Sequence, residues 1–103
     1  MAKLAERVKI KKKKKTAQIR LKGELSVEDS ILLKKKLDKI IDSIDHVEVT
    51  FEEVEDIHLS VVQLIVAVKN SLIQKEKKFS MRGTENAAVA DILENCGCSY
   101  LLN

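Results

Sequence analysis

Proline and tryptophan are absent from this 103-residue chain; glycine occurs three times and cysteine twice. Phe51, Phe79 and Tyr100 are its whole aromatic complement. Each shortage excludes something. Glycines at 23, 83 and 97 are too scattered to build a phosphate-cradling loop. Cys96 and Cys98 are too few and too close for a disulfide framework, and free thiols suit a reducing compartment. So few aromatics leave little surface for stacking single-stranded nucleic acid. The longest apolar run, Val61 to Val68, is broken by Gln63 and ends at Lys69. It is far shorter than the roughly 20 residues that span a bilayer. The amino terminus has charges but no apolar stretch behind them, so no secretory signal is expected. These absences lead to the expectation of a soluble, cytoplasmic protein.

What is present fits one domain over residues 1–103. Apolar residues make up 45% and charged residues 34%, too apolar for a disordered chain. The net charge of +3 hides an asymmetry. Residues 1–22 hold ten basic residues and one acid; the remainder holds nine basic residues and fifteen acids. A mildly acidic body therefore follows a basic leading segment, which is read as part of the same domain.

Val8 and Ile10, then Ala17, Ile19 and Leu21, alternate with polar residues around five lysines. That period of 2 predicts a β-hairpin with one buried face, ended by Gly23. Ser26 precedes Asp29 by three residues, a helix-start signature. Leu33, Leu37, Ile40, Ile41 and Ile44 continue at helical spacing, which predicts a helix to about Asp45. Val47, Val49 and Phe51 form a half-buried strand, and the acidic stretch Glu52 to Asp56 reads as a connection. A second helix starts near Ser60 with Val61, Leu64, Ile65, Val68 and Leu72 inward. Lys77 to Arg82 reads as a short strand. Gly83 and Thr84 introduce a third helix carrying Ala88, Val89, Ile92 and Leu93, which Gly97 is placed to end. The order is β-β-α-β-α-β-α. The fold class is α/β, with a mixed sheet, one wet sheet face and the helices mainly on the other.

Little of this looks catalytic. Cys96, Cys98, His46 and His58 are the one conceivable metal set, but three separate segments would have to converge. Two reduced thiols around a helix-ending glycine, and solvated histidines, explain them more simply. No nucleophile–base spacing stands out. The expectation is a protein that is not an enzyme and needs no metal or cofactor. Lys11 to Lys15 could attract phosphates or an anionic membrane. A solvated hairpin tip that discourages edge-to-edge aggregation explains the same run.

The segments in order carry a resemblance. Leu21-Lys22-Gly23-Glu24-Leu25-Ser26 resembles the Gly-Glu-Leu-Asp turn of STAS domains, the sulfate-transporter and anti-sigma-factor-antagonist family. Val47 to Phe51, the apolar helix after it, Lys78-Phe79-Ser80-Met81-Arg82-Gly83, and Leu93 to Cys98 follow in the family's sequence of elements. The likeness runs from about residue 6 to 102.

The resemblance implies a regulatory module that binds a partner protein and is not an enzyme. The family's functional loop usually reads close to Asp-Ser-Ser-Gly-Leu, and its second serine is phosphorylated in many members. Counting back from Phe79 and Gly83 places that loop on His58-Leu59-Ser60-Val61-Val62. Ser60 then takes the phosphoacceptor position, His58 stands for the aspartate and Val61 for the glycine. A second register puts Asp56 on the aspartate but brings Ser60 and Gln63 onto normally apolar positions. The implied partner surface comprises Gly23, Glu24, Ser26, Asp56, Ile57, His58, Leu59, Ser60 and Val61. The implied partner is a serine kinase of the anti-sigma-factor type, with a serine phosphatase reversing the modification. Other members are unswitched adaptor subunits of larger assemblies such as lipid-transport ATPases. A basic-arm binder of nucleic acid or membrane is a third reading.

Taken by itself, Ser60 with Gln63 three residues later also looks like a capping box. In that reading the serine is an ordinary N-cap, and the acids before it repel a phosphate.

Overall fold

The computed structural model describes residues 7–95. Four strands form one sheet in the order β1-β2-β3-β4: β1 (Val8–Lys13), β2 (Thr16–Leu25), β3 (His46–Ile57) and β4 (Lys78–Arg82). The first pair is antiparallel and the other two are parallel, so the sheet is mixed. Three helices, α1 (Val27–Asp38), α2 (Leu59–Gln74) and α3 (Ala87–Asn95), complete the order expected from the sequence.

Alternation decides the layers. Ala17, Ile19 and Leu21 of β2 and Val47, Val49 and Phe51 of β3 are buried, and Gln18, Arg20 and Lys22, which alternate with the former, are exposed. The buried face packs against Leu33 and Leu37 of α1, Val61, Val62, Ile65 and Leu72 of α2, and Val89 and Leu93 of α3. The other face of the sheet is left to solvent, which only polar side chains tolerate over such an area.

Four boundaries differ from the sequence reading. The first helix stops at Asp38 rather than near Asp45, and Ile41–Ser43 form a single 3₁₀ turn. The amides of Asp45 and His46 both bond to the Lys15 carbonyl, at 2.7 and 3.2 Å. The chain must therefore be back at the foot of β2 by residue 45, and a longer helix would leave no residues for the reversal. Ile44 still reaches the core, fully buried, from extended backbone.

Neither Gly23 nor Phe51 ends a strand. β2 runs to Leu25 and β3 through the acidic stretch to Ile57. Lys22 pairs with Glu52, Gly23 with Val54 and Glu24 with Asp56, so β3 holds two extra residues. Glu53 and Gly23 take positive φ values of 45° and 77° at this bulge. The bulge changes the burial period: Phe51, Val54 and Ile57 are inward, three apart. A bulge bends and twists the strand that carries it.

The proposed helix stop at Gly97, the thiols Cys96 and Cys98, and the tail from Tyr100 lie outside the described residues. Asn86 starts α3 instead of Gly83 or Thr84, its Oδ1 accepting from the Ala88 and Val89 amides at 2.9 and 3.3 Å.

Candidate functional site

Parallel pairing of β2 and β3 places their carboxyl ends side by side. The His58 amide donates to the Leu25 carbonyl at 2.8 Å, tying the β3–α2 turn to the β2–α1 turn. Two helices therefore start next to each other, and a shallow cleft opens between them. Its lining includes Arg7, Glu24, Ser26, Val27, Asp56 and Leu59. In open α/β sheets the carboxyl ends of the strands are the usual place for binding.

The α1 side is rigidly built. The Ser26 amide donates to Asp29 Oδ2 at 2.7 Å, and the Ser26 hydroxyl lies 3.1 Å from the same oxygen. Asp29 is 3% exposed, and burial of a carboxylate needs such partners. Arg7 Nε supplies charge at 3.3 Å, as an ion pair without the angle of a hydrogen bond. Here the helix start read from the sequence is present.

The α2 side differs from the sequence reading. Ser60 is not the N-cap, and Gln63 closes no capping box. His58 holds the cap position with extended backbone, and its Nδ1 accepts from the Ser60 amide at 3.0 Å. The helix therefore starts at Leu59, and Ser60 is its second residue. Its hydroxyl lies 2.9 Å from the same His58 nitrogen. An imidazole with one bare nitrogen serves as a cap acceptor as a carboxylate does.

The nine residues assigned to the partner surface do not all present side chains. Glu24, Asp56, His58 and Leu59 are exposed, and Gly23, Ser26 and Ser60 are half-buried. Ile57 and Val61 turn inward at 4% and 1% exposure, so they support the rim from beneath. The acids of the bulge are partly engaged: Glu52 pairs with Arg20 at 2.6 Å and Glu53 with Lys22 at 3.7 Å. Glu55 and Asp56 remain exposed beside the cleft, and Asp56 Oδ1 accepts from the Ile57 amide at 2.9 Å.

Sequence reasoning named Leu59 but missed the exposed apolar residues that α1 adds beside it. Val27 and Ile31 on α1 and Leu59 on α2 are three of the four exposed large apolar residues among those described. A signal was available. Val27 and Ile31 are four apart and out of phase with Leu33 and Leu37, so they form a second apolar stripe on α1.

His46 and His58 sit at opposite ends of β3, so they share no site. His46 Nε2 lies 2.9 Å from Ser80 Oγ. Among the described residues no group of three or more histidine, cysteine or acidic side chains converges on a metal position. No helix there is long and apolar enough to cross a membrane.

Comparisons with known proteins agree with this architecture. No curated protein sequence matches the chain significantly. Solved structures that share the fold include two of SpoIIAA. The unphosphorylated anti-sigma factor antagonist SpoIIAA superposes with a TM-score of 0.75 at 17% identity, covering 91% of this chain and 84% of that one. The phosphorylated form of SpoIIAA, a Bacillus cell fate determinant, gives 0.76 at 16% identity, covering 91% and 86%. The sequence matches the family model described as "Mlab, STAS domain" over residues 8–103. With the element order, the mixed sheet and that match in agreement, this chain belongs to the STAS domain family.

Proposed function

We propose that this STAS domain is a non-catalytic regulatory module of the cytoplasm. In this reading it docks a serine kinase of the anti-sigma-factor type on the cleft rim, and phosphorylation of Ser60 releases that partner. The observation that carries the reading is the position of Ser60. It is half-exposed in the first turn of α2, between core-facing Val61 and exposed Leu59, and Leu59 lines the cleft together with Val27. The positive end of the helix favours a phosphate there. A phosphoryl group adds about two negative charges beside an apolar rim, which a partner seated on that rim would have to desolvate. The fold supports the reading as well, because SpoIIAA is an antagonist of an anti-sigma factor and occurs with and without phosphate.

A second reading is a constitutive adaptor subunit of a larger complex, such as a lipid-transport ATPase, that is never phosphorylated. The His58 contact to the Ser60 hydroxyl favours it, because a modified serine would lose that interaction. So do exposed Glu55 and Asp56, which repel added negative charge.

One experiment separates the two. The protein is incubated with Mg-ATP and lysate of its own source, then recovered and weighed. A mass gain of about 80 Da for one phosphate, abolished in Ser60→Ala, supports the switch. A co-purifying partner that binds Ser60→Asp as well as wild type, with no mass gain, establishes the adaptor instead.

A further inference from the structure

The face of the sheet opposite the helices is strongly basic, and the strand order makes it so. Side chains opposite one another in register share a face. Lys9 pairs with Arg20, Arg20 with Thr50 and Thr50 with Arg82, so three cations lie in one row across all four strands. The neighbouring rows add Lys11, Lys13, Lys22 and Lys78 on the same face. Against these seven stand Glu48 and Glu52, which already pair with Arg82 at 3.8 Å and Arg20 at 2.6 Å. Lys22 pairs with Glu53 of the bulge. The β1 side of the face keeps its charge. Among the described residues none of Lys9, Lys11 and Lys13 is ion-paired, and all three are exposed. Lys12, Lys14 and Lys15, also exposed, extend the charge around the hairpin edge.

Edge protection explains lysines on β1, but it does not explain this face. Guarding an edge takes one or two charges on the edge strand. Here cations stand on β1, β2 and β4, three of the four strands, and Lys9 faces Arg20 directly, an arrangement that destabilises a sheet.

We propose that this face docks on an anionic lipid bilayer surface. Three features select that partner. All the described helices pack on one face of the four-stranded sheet, so the other face is open across all four strands. Among the described residues no exposed large apolar side chain lies on it; Val27, Ile31, Leu59 and Ile73 are all on helices. A protein interface draws most of its energy from a few well-packed anchors, often aromatic or Arg, and the two arginines of this face are 60% and 71% exposed and paired with Glu52 and Glu48. Phe51 and Phe79 point to the core side, so the described residues offer no aromatic platform for stacking single-stranded nucleic acid. What remains is an extended array dominated by lysine, with alternate residues of β1 about 7 Å apart. Flexible point charges of this kind suit mobile anionic headgroups, which require no fixed geometry. The cleft between the starts of α1 and α2 remains free in this pose, because it lies at the carboxyl-terminal end of the sheet and not on its face.

The test is co-sedimentation of the full chain with vesicles of phosphatidylcholine alone and of phosphatidylcholine with two-fifths phosphatidylglycerol, in low and in high salt. Binding to the anionic vesicles only, weakened by salt, is expected. Each lysine near such a surface contributes about a fivefold factor, so Lys9→Gln, Lys11→Gln and Lys13→Gln together are expected to lower binding about a hundredfold. Thermal melting of the variant serves as the folding control. Removing the same charge from α1 and the residue that follows it, with Lys34→Gln, Lys35→Gln and Lys39→Gln, is expected to leave most of the binding. The proposal is overturned if the two triple variants lose binding equally, if neither loses any, if wild type ignores the anionic vesicles, or if it binds only duplex DNA or RNA in parallel titrations.

Discussion

One lone pair on His58 Nδ1 serves two groups of Ser60, the amide at 3.0 Å and the hydroxyl at 2.9 Å. The candidate phosphoacceptor is thus held by the residue that starts its helix. Because Nδ1 accepts from an N–H, the neutral ring must carry its proton on Nε2. Long-range proton–nitrogen NMR correlations are expected to show that tautomer. His58→Ala should cost about 1 kcal/mol, the usual worth of an N-cap acceptor. His58→Asp restores an acceptor and adds a favourable charge at the helix start, so its stability should equal or exceed that of wild type. Chemical denaturation of the three proteins checks the order.

The two described glycines differ sharply in what surrounds them. Both have positive φ, 77° at Gly23 and 78° at Gly83. A Cβ at Gly83 would lie 2.1 Å from the Phe51 carbonyl oxygen, whereas at Gly23 the nearest atom is Arg7 Cδ at 3.7 Å. Gly23→Ala should therefore cost about 1–2 kcal/mol, the left-handed backbone penalty alone. Gly83→Ala should cost clearly more, because backbone must move as well. Urea midpoints of the two variants should separate in that order.

The opposition of Lys9 and Arg20 gives a test in the other direction. Lys9→Glu replaces a like-charge cross-strand pair with an opposite pair. A gain of about 0.2–1 kcal/mol is expected, and the gain should shrink in high salt. Thermal denaturation at two ionic strengths measures both effects.

Ile31 and Leu59 are 51% and 40% exposed, whereas Leu72 is fully buried. Leu72→Ala should cost about 2–5 kcal/mol through lost burial and a cavity. Ile31→Ala and Leu59→Ala should stay within about 0.5 kcal/mol of wild type. Under the proposed function the same two variants weaken partner capture at least tenfold while remaining folded. Pull-down yields read beside melting curves would separate the roles. Unchanged capture by both variants would remove the apolar rim from the partner surface.

Much of the fold was legible because its signals are local. Alternation in residues 17–21 and 47–51 marked two core strands, and Ser26 with Asp29 marked a helix start that the structure contains. Legibility failed where the pattern depends on a neighbour. Val54 and Ile57 belong to β3, but the bulge opposite Gly23 puts them three apart, which matches no strand period. The helix pattern from Leu33 continues through Ile44, yet the chain leaves the helix at Asp38 to reach Lys15. Ser60 and Gln63 matched a capping box, but the neighbouring imidazole took the cap.

The sequence by itself determined which faces are buried, the order of the elements and the family, because hydrophobic periodicity and turn residues act over a few positions. Only the tertiary structure decided what the polar residues present. Pairing β2 and β3 in parallel brought Val27, Leu59 and Ser60 to one edge. Strand order gathered Lys9, Arg20 and Arg82, far apart in the chain, into one row. Charge reads as a run along a sequence, but its field depends on spacing in three dimensions, and register sets that spacing.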